Sequence, residues 1–122
     1  MKRRIYYGDT DAGGILYHPR YLAFCEEARS EIFFTRGITF DESFYVVKEI
    51  NAKFLNPAKL GDIIDIKTAV TQIKRTYIVL IQEIYIENKK IFEATVTLVH
   101  LKNNKPAKIP PKHLEVINEY KI

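Results

Sequence analysis

Cysteine is nearly missing from this chain, with one thiol in 122 residues. A single cysteine excludes an internal disulfide framework and fits a reducing compartment, so cytoplasm is the expected location. No apolar run approaches the roughly 20 residues that cross a bilayer, and no membrane span is expected. The opening "MKRRIYYGD" has basic residues but no apolar stretch behind them, so it does not read as a signal peptide. Internal repeats and low-complexity linkers are also lacking. The length then fits a single domain over residues 1–122. Charge of one sign is not in large excess. A net +4 suits an anionic partner, yet an excess this small is explained by solubility alone. No nucleic-acid reader motif accompanies it, and no basic face interleaved with aromatics, so no nucleic-acid partner is expected.

What is present is an ordinary globular composition, 47% hydrophobic and 28% charged. A chain of this size builds a core but not a deep private cavity with thick walls. A large ligand site therefore calls for a second subunit.

"RRIYYGD" reads as a first strand ended by Gly8, and residues 8–17 as a glycine-punctuated loop. "HPRYLAFCEEARSEIFFTRG" reads as one helix, with Pro19 suited to its first turn and Gly37 to its stop. Tyr21, Cys25, Ala28 and Ile32 form one stripe of it, with Leu22 and Phe33 alongside. Strands are expected over "YVVKEINAKFL", "LGDIIDIKTAVTQI", "RTYIVLIQEIYIE" and "IFEATVTLVHL". In the first of these Val46, Ile50, Ala52 and Phe54 are expected on one face. The third is apolar on both faces and suits a central position. "KNNKPAKIPP" reads as a polar loop and "KHLEVINEYKI" as a terminal helix. Strand, loop, long helix, then strands joined by short turns predicts an α+β fold: an antiparallel five-stranded sheet wrapped around a central helix.

The densest chemistry lies in "YYGDTDAGGILYHPRY", Tyr6 to Tyr21. As a calcium loop starting at Asp9 it would need Glu at the last ligand position and has Arg20. As a phosphatase loop it would need a parallel sheet. As a P-loop it lacks Gly-Lys-Ser/Thr. Asp9, Asp11 and His18 could serve as metal ligands, but no second His or Cys cluster supports them, and no metal is expected. A carboxylate beside a helix N-terminus remains. Free N–H groups there stabilise negative charge, including an oxyanion on a carbonyl. A carboxylate can attack an acyl carbon or deprotonate water, so acyl transfer fits. The competing reading is that Asp9 and Asp11 only shape a loop.

The pattern Tyr7-x-Asp9-Thr10-Asp11-x-x-Gly14-x-x-Tyr17-His18-x-x-Tyr21 resembles the hotdog-fold acyl-CoA thioesterases, specifically the 4-hydroxybenzoyl-CoA thioesterase family and its YbgC-like branch. The order of downstream elements fits the same fold. The resemblance implies acyl-CoA as substrate and no cofactor. It implies Asp11 as the catalytic carboxylate, either nucleophile or base, and the His18 backbone N–H as the group that polarises the thioester carbonyl. His18 and Tyr7 side chains would line the site, Gly14 would permit the turn, and Asp9 would organise the loop. It implies a homodimer paired through sheet edges, assembling to a tetramer, with the acyl group between subunits. Lys74 and Arg75, at a turn between strands, would meet the CoA nucleotide, with Lys102, Lys105 and Lys108 as weaker choices. The alternative is a module that holds acyl-CoA or an acyl-carrier protein without turnover.

Cys25 lies seven residues after His18 on the same helix, about 10 Å by helical rise, too far for a Cys–His dyad. It is expected to be a buried structural thiol. His100 falls on the Phe92–Leu98 face and is expected to be a satisfied core or interface histidine, while His113 carries no signal.

Overall fold

The computed structural model describes residues 1–122. A short strand β1 (Lys2–Arg4) leads through a 3-10 turn at Tyr7–Asp9 into helix α1 (His18–Phe34). Four long strands follow: β2 (Ser43–Phe54), β3 (Ile63–Ile73), β4 (Tyr77–Ile86) and β5 (Lys89–Lys102). A two-residue β6 (Lys105–Pro106) and helix α2 (Pro111–Asn118) complete the chain. The sheet runs β1-β3-β4-β5-β2, antiparallel throughout, with β6 folded back on β5. β4 is central, as its two-sided apolar character predicts.

Two local readings need correction, those of the first strand and of Val46, while Gly37 stops the helix as expected. The first strand stops at Arg4 because Asp9 captures the backbone. Its Oδ2 accepts the Tyr6 N–H at 2.9 Å, and its own N–H donates to Tyr6 O at 2.9 Å, which curls residues 6–9 away from the ladder. The helix ends three residues before Gly37. Ile38 N–H donates to Phe33 O and Gly37 N–H to Phe34 O, the bonding of a Schellman cap, with Gly37 at φ +74°. Val46 is not on the face of Ile50. A bulge between Val47 and Glu49 shifts the register, so Tyr45, Val47, Ile50, Ala52 and Phe54 oppose the inward residues His100, Leu98, Val96, Ala94 and Phe92 of β5.

The core lies between α1 and the concave face of the sheet. Phe24, Cys25 and Ala28 of α1 join Ile64, Ile66, Leu80, Ile84, Phe92 and Val96 in one apolar cluster. A polar node sits inside it. Gln82 is fully buried; its Oε1 accepts from Arg29 Nη1 at 2.9 Å, and its Nε2 donates to Cys25 O at 2.9 Å and Thr68 Oγ1 at 3.1 Å.

His100 is buried with both ring nitrogens engaged, Nδ1 at 2.9 Å from Ala107 O and Nε2 against Ser43 Oγ. His113, unremarkable in the sequence, lies on the inner face of α2. Its Nδ1 is 2.9 Å from Tyr45 Oη and its ring is 5.9 Å from that of His100. Tertiary folding brings these histidines together from β5 and α2.

The two sheet edges differ. β1 covers one edge with three residues, while β2 leaves twelve along the other. Val46, Val47, Ile50 and Phe54 of β2 are large apolar side chains left exposed.

Candidate active site

The two aspartates of the loop have separate environments. Asp9 is buried and holds the loop to the body of the protein. Its Oδ1 lies 3.1 Å from Arg20 Nη2 and 3.4 Å from Arg3 Nη2. Both guanidinium groups also stack on Phe24, at 4.9 and 4.2 Å from the ring centre. Asp9 O accepts the Tyr17 N–H at 2.9 Å, which fixes the entry to α1.

Asp11 is exposed. Its Oδ1 accepts N–H bonds from Gly13 at 2.8 Å and Ile15 at 3.2 Å, while no hydrogen bond within the chain occupies Oδ2. The turn needs Gly14, whose φ is +79°. The loop then closes through Leu16 N–H to Ala58 O at 2.8 Å and enters α1 at His18. Tyr17 N–H is taken by Asp9 O, Arg20 N–H by Tyr17 O, and Pro19 has no N–H. The His18 N–H is therefore a free donor on the first residue of α1, at the positive end of the helix dipole.

Exposed aromatic surface surrounds this donor. The His18 ring packs edge-on to Tyr17 at 5.0 Å and to Phe54 at 6.3 Å. Phe54 in turn contacts Tyr21 at 5.3 Å. The His18 loop thus abuts the end of the uncovered strand β2. Tyr21 is buried and packs on Phe92 at 5.2 Å. Tyr7 stands in solvent, 82% exposed, and makes no hydrogen bond to Asp11 or His18 within the chain.

Lys74 and Arg75 occupy the β3–β4 turn, where Lys74 N–H donates to Tyr77 O at 2.8 Å and Arg75 O accepts the Ile109 N–H at 2.9 Å. This turn is at the other end of the sheet from Asp11. The segment leading into β3 bridges the loop through Lys59 and Ile15. β3 then runs 11 residues, roughly 35 Å, before Lys74. Lys102 and Lys105 pair across β5 and β6 at the same far end. A single chain does not bring these cations to Asp11.

Cys25 is buried as expected, and desolvation pushes its thiol up to about 12, which leaves it protonated and unreactive. The largest cavity, about 710 Å³, lies away from the loop, between the outer side of α1 and β3. Glu26, Glu27 and Glu31 line it, so it repels the anionic nucleotide of a coenzyme A thioester. Arg29, which nothing in the helical pattern sets apart, is 8% exposed, hydrogen-bonds Gln82 and shares a cavity wall with Glu26, whose negative charge favours the guanidinium without a direct ion pair. Its neighbours come from β2 and β5, so only the folded chain reveals its setting.

A long helix wrapped by an antiparallel sheet, with a carboxylate loop at the helix N-terminus, defines the hotdog class of thioesterases. The sequence profile of the thioesterase superfamily matches residues 13–93, and the chain belongs to that superfamily and is a thioester hydrolase. It is 36% identical to an acyl-CoA thioesterase YbgC of Helicobacter pylori, the alignment covering 97% of this chain and 98% of that protein. It is 35% identical to an acyl-CoA thioester hydrolase YbgC of Escherichia coli, over 97% of this chain and 92% of the relative. The crystal structure of a probable thioesterase from Bartonella henselae superposes with a TM-score of 0.85 at 28% identity, covering 90% of this chain and 97% of that one.

Proposed function

We propose that the chain hydrolyses acyl-CoA thioesters to a free acid and CoA, at a site built on Asp11 and the start of α1. The observation that carries this reading is the free His18 N–H at the helix N-terminus beside the Asp11 loop. The names of the Helicobacter and Escherichia relatives support the substrate class.

In this reading the thioester carbonyl accepts from the His18 N–H. As negative charge grows on that oxygen, the donor and the helix dipole stabilise it more than they stabilise the ground state. Asp11 is held by Gly13 and Ile15 through one oxygen, and the other takes part in no hydrogen bond within the chain. On the base route, water attacks the carbonyl carbon, its proton passes to Asp11, the C–S bond breaks and the thiolate recovers the proton. On the nucleophile route, the Asp11 oxygen attacks, the thiolate leaves, and water hydrolyses the mixed anhydride. Both routes give one acid and one thiol. Tyr7 and the His18 ring form the wall, and Gly14 keeps the turn open.

The site is completed by a second copy. β2 presents an unpaired edge lined with Val46, Val47, Ile50 and Phe54, and pairing it with another β2 hides that edge. A two-fold, antiparallel pairing sets the start of one β2 against the end of the other. The basic end that carries Lys74 and Arg75 then approaches the partner's Asp11 loop, where the CoA phosphates need cations. Dimers of this kind assemble to a tetramer, and the cytoplasm is the place of action.

Thiol release from short, medium, long and aryl acyl-CoA tests the proposal. Asp11→Asn is expected to lower kcat by about 100-fold or more. Equal activity of the variant, or no release by wild type from any substrate, overturns it. Saturable CoA binding without turnover identifies a binding module for acyl-CoA or acyl-carrier protein instead.

A further inference from the structure

His100 is held in one orientation from two sides. Its Nδ1 lies 2.9 Å from Ala107 O, and its Nε2 contacts Ser43 Oγ. A carbonyl oxygen only accepts, so in the neutral ring Nδ1 carries the hydrogen and Nε2 presents its lone pair. The Ser43 hydroxyl then donates to Nε2. Neither nitrogen bonds a carboxylate. Hydroxyl, imidazole and orienting acceptor stand in the order in which a base activates a serine while a third group fixes its tautomer. A backbone carbonyl fills the third place here.

This pair opens onto the surface. Ser43 is partly exposed, and Ser43 and His100 line a cleft of about 400 Å³ with Thr39, Asp41, Glu42, Lys102, Lys108 and Pro110. Two carboxylates and two ammonium groups balance one another, so the cleft suits an uncharged reactant. The segment leading to Ser43 supplies free donors. The N–H groups of Thr39, Phe40, Asp41 and Glu42 donate no hydrogen bond within the chain. Unpaired backbone donors next to a nucleophile can stabilise an oxyanion that forms there. β5, which carries His100 and Lys102, pairs with β2 on the side opposite its free edge, so the cleft is not on that edge.

We propose that Ser43 is a second nucleophile, which takes the acyl group of small uncharged carboxylic esters with His100 as its base. The inference does not rest on the acyl-CoA reading of the Asp11 loop. Ser43 Oγ attacks the ester carbonyl carbon while its proton passes to His100 Nε2. The C–O bond to the alcohol breaks, and the imidazolium returns the proton to the departing oxygen. Water then attacks the acyl-serine with His100 again as base, which releases the acid and restores the hydroxyl. Ala107 O holds the ring in line through each transfer.

A fluorophosphonate probe tests the nucleophile directly. Its P–F bond breaks as the Oγ–P bond forms, and the Oγ proton leaves with fluoride. Native wild type is expected to gain one adduct per chain, mapped to Ser43 by peptide mass spectrometry. Asp11→Asn is expected to gain the same adduct, because within the chain the two sites are separate. Ser43→Ala and urea-unfolded wild type are expected to gain none. His100→Gln is expected to label about 100-fold more slowly or worse. Ester turnover is read with p-nitrophenyl acetate in the Asp11→Asn background, where adding Ser43→Ala is expected to lower nitrophenolate release about 10-fold or more. No adduct on native wild type, an adduct at another residue, or equal labelling of the unfolded chain overturns the proposal. Nitrophenolate release that is absent, or that Ser43→Ala leaves unchanged, overturns it as well. If His100→Gln does not fold, Ser43→Ala and the unfolded control decide alone.

Discussion

Asp9 Oδ1 lies 3.1 Å from Arg20 Nη2, and this ion pair ties the loop that carries Asp11 to the first turn of α1. The aspartate is buried while the arginine remains partly open to solvent. Removing the carboxylate strands the Arg20 guanidinium over Phe24, leaves Arg3 with Glu27 as its remaining carboxylate and frees the Tyr6 N–H.

Asp9→Ala is therefore expected to destabilise the fold by about 2 kcal/mol, because a buried carboxylate is lost with its hydrogen bonds while its arginine partners stay partly solvated. Urea unfolding measures this. Activity should fall as well, since the loop that positions Asp11 loses its anchor. A midpoint equal to that of wild type would remove Asp9 from its architectural role.

Gly14 has φ +79° and open space where a Cβ would stand, so only the backbone angle resists substitution. Gly14→Ala should cost about 1 kcal/mol. Its effect on kcat should exceed that of an equally destabilising core change, because the turn sets the Gly13 and Ile15 bonds to Asp11. Paired unfolding and steady-state measurements separate the two effects.

The exposed apolar edge of β2 predicts the outcome of Ile50→Glu. Two like charges facing each other across a symmetric seam, in place of two apolar side chains, should yield monomers. Sedimentation reads the assembly state and thiol release reads activity, which should drop with it. A variant that remains fully assembled would place the dimer seam elsewhere.

His113 predicts a pH dependence of stability. Burial, with a contribution from neighbouring His100, holds its pKa below the usual 6.5. The unfolded chain then binds a proton at higher pH than the folded one. The stabilisation is present above pH 6.5 and is lost as pH falls from there toward the folded value. His113→Leu should flatten the dependence of the unfolding midpoint on pH between about 7.5 and 5, as followed by circular dichroism. The same slope in wild type and variant would assign the effect to other groups.

Much of the element order was legible because it depends on short-range patterns. Period-two alternation marks β3 and β5, and two-sided apolar character places β4 in the centre. The errors share one physical origin. Asp9 ends β1 early through a side-chain bond to the backbone, and a bulge after Val47 inverts the facing of Val46. Neither a local capture nor a single extra residue in a strand leaves a periodic signal.

The division of labour between Asp9 and Asp11 was readable in outline from the loop, and the folded chain gives each a distinct environment. The relation of Arg29 to Gln82, and of His113 to Tyr45 and His100, was not readable. Each joins residues far apart in the chain, and a helical pattern does not say which polar side chain will meet the sheet. Composition and periodicity alone settle that this chain makes one long helix and an antiparallel sheet, because those features arise from neighbouring residues. Which charges are buried, which helix donor stays free and which edge stays open are decided by tertiary packing, since burial and pairing exist only once distant segments meet.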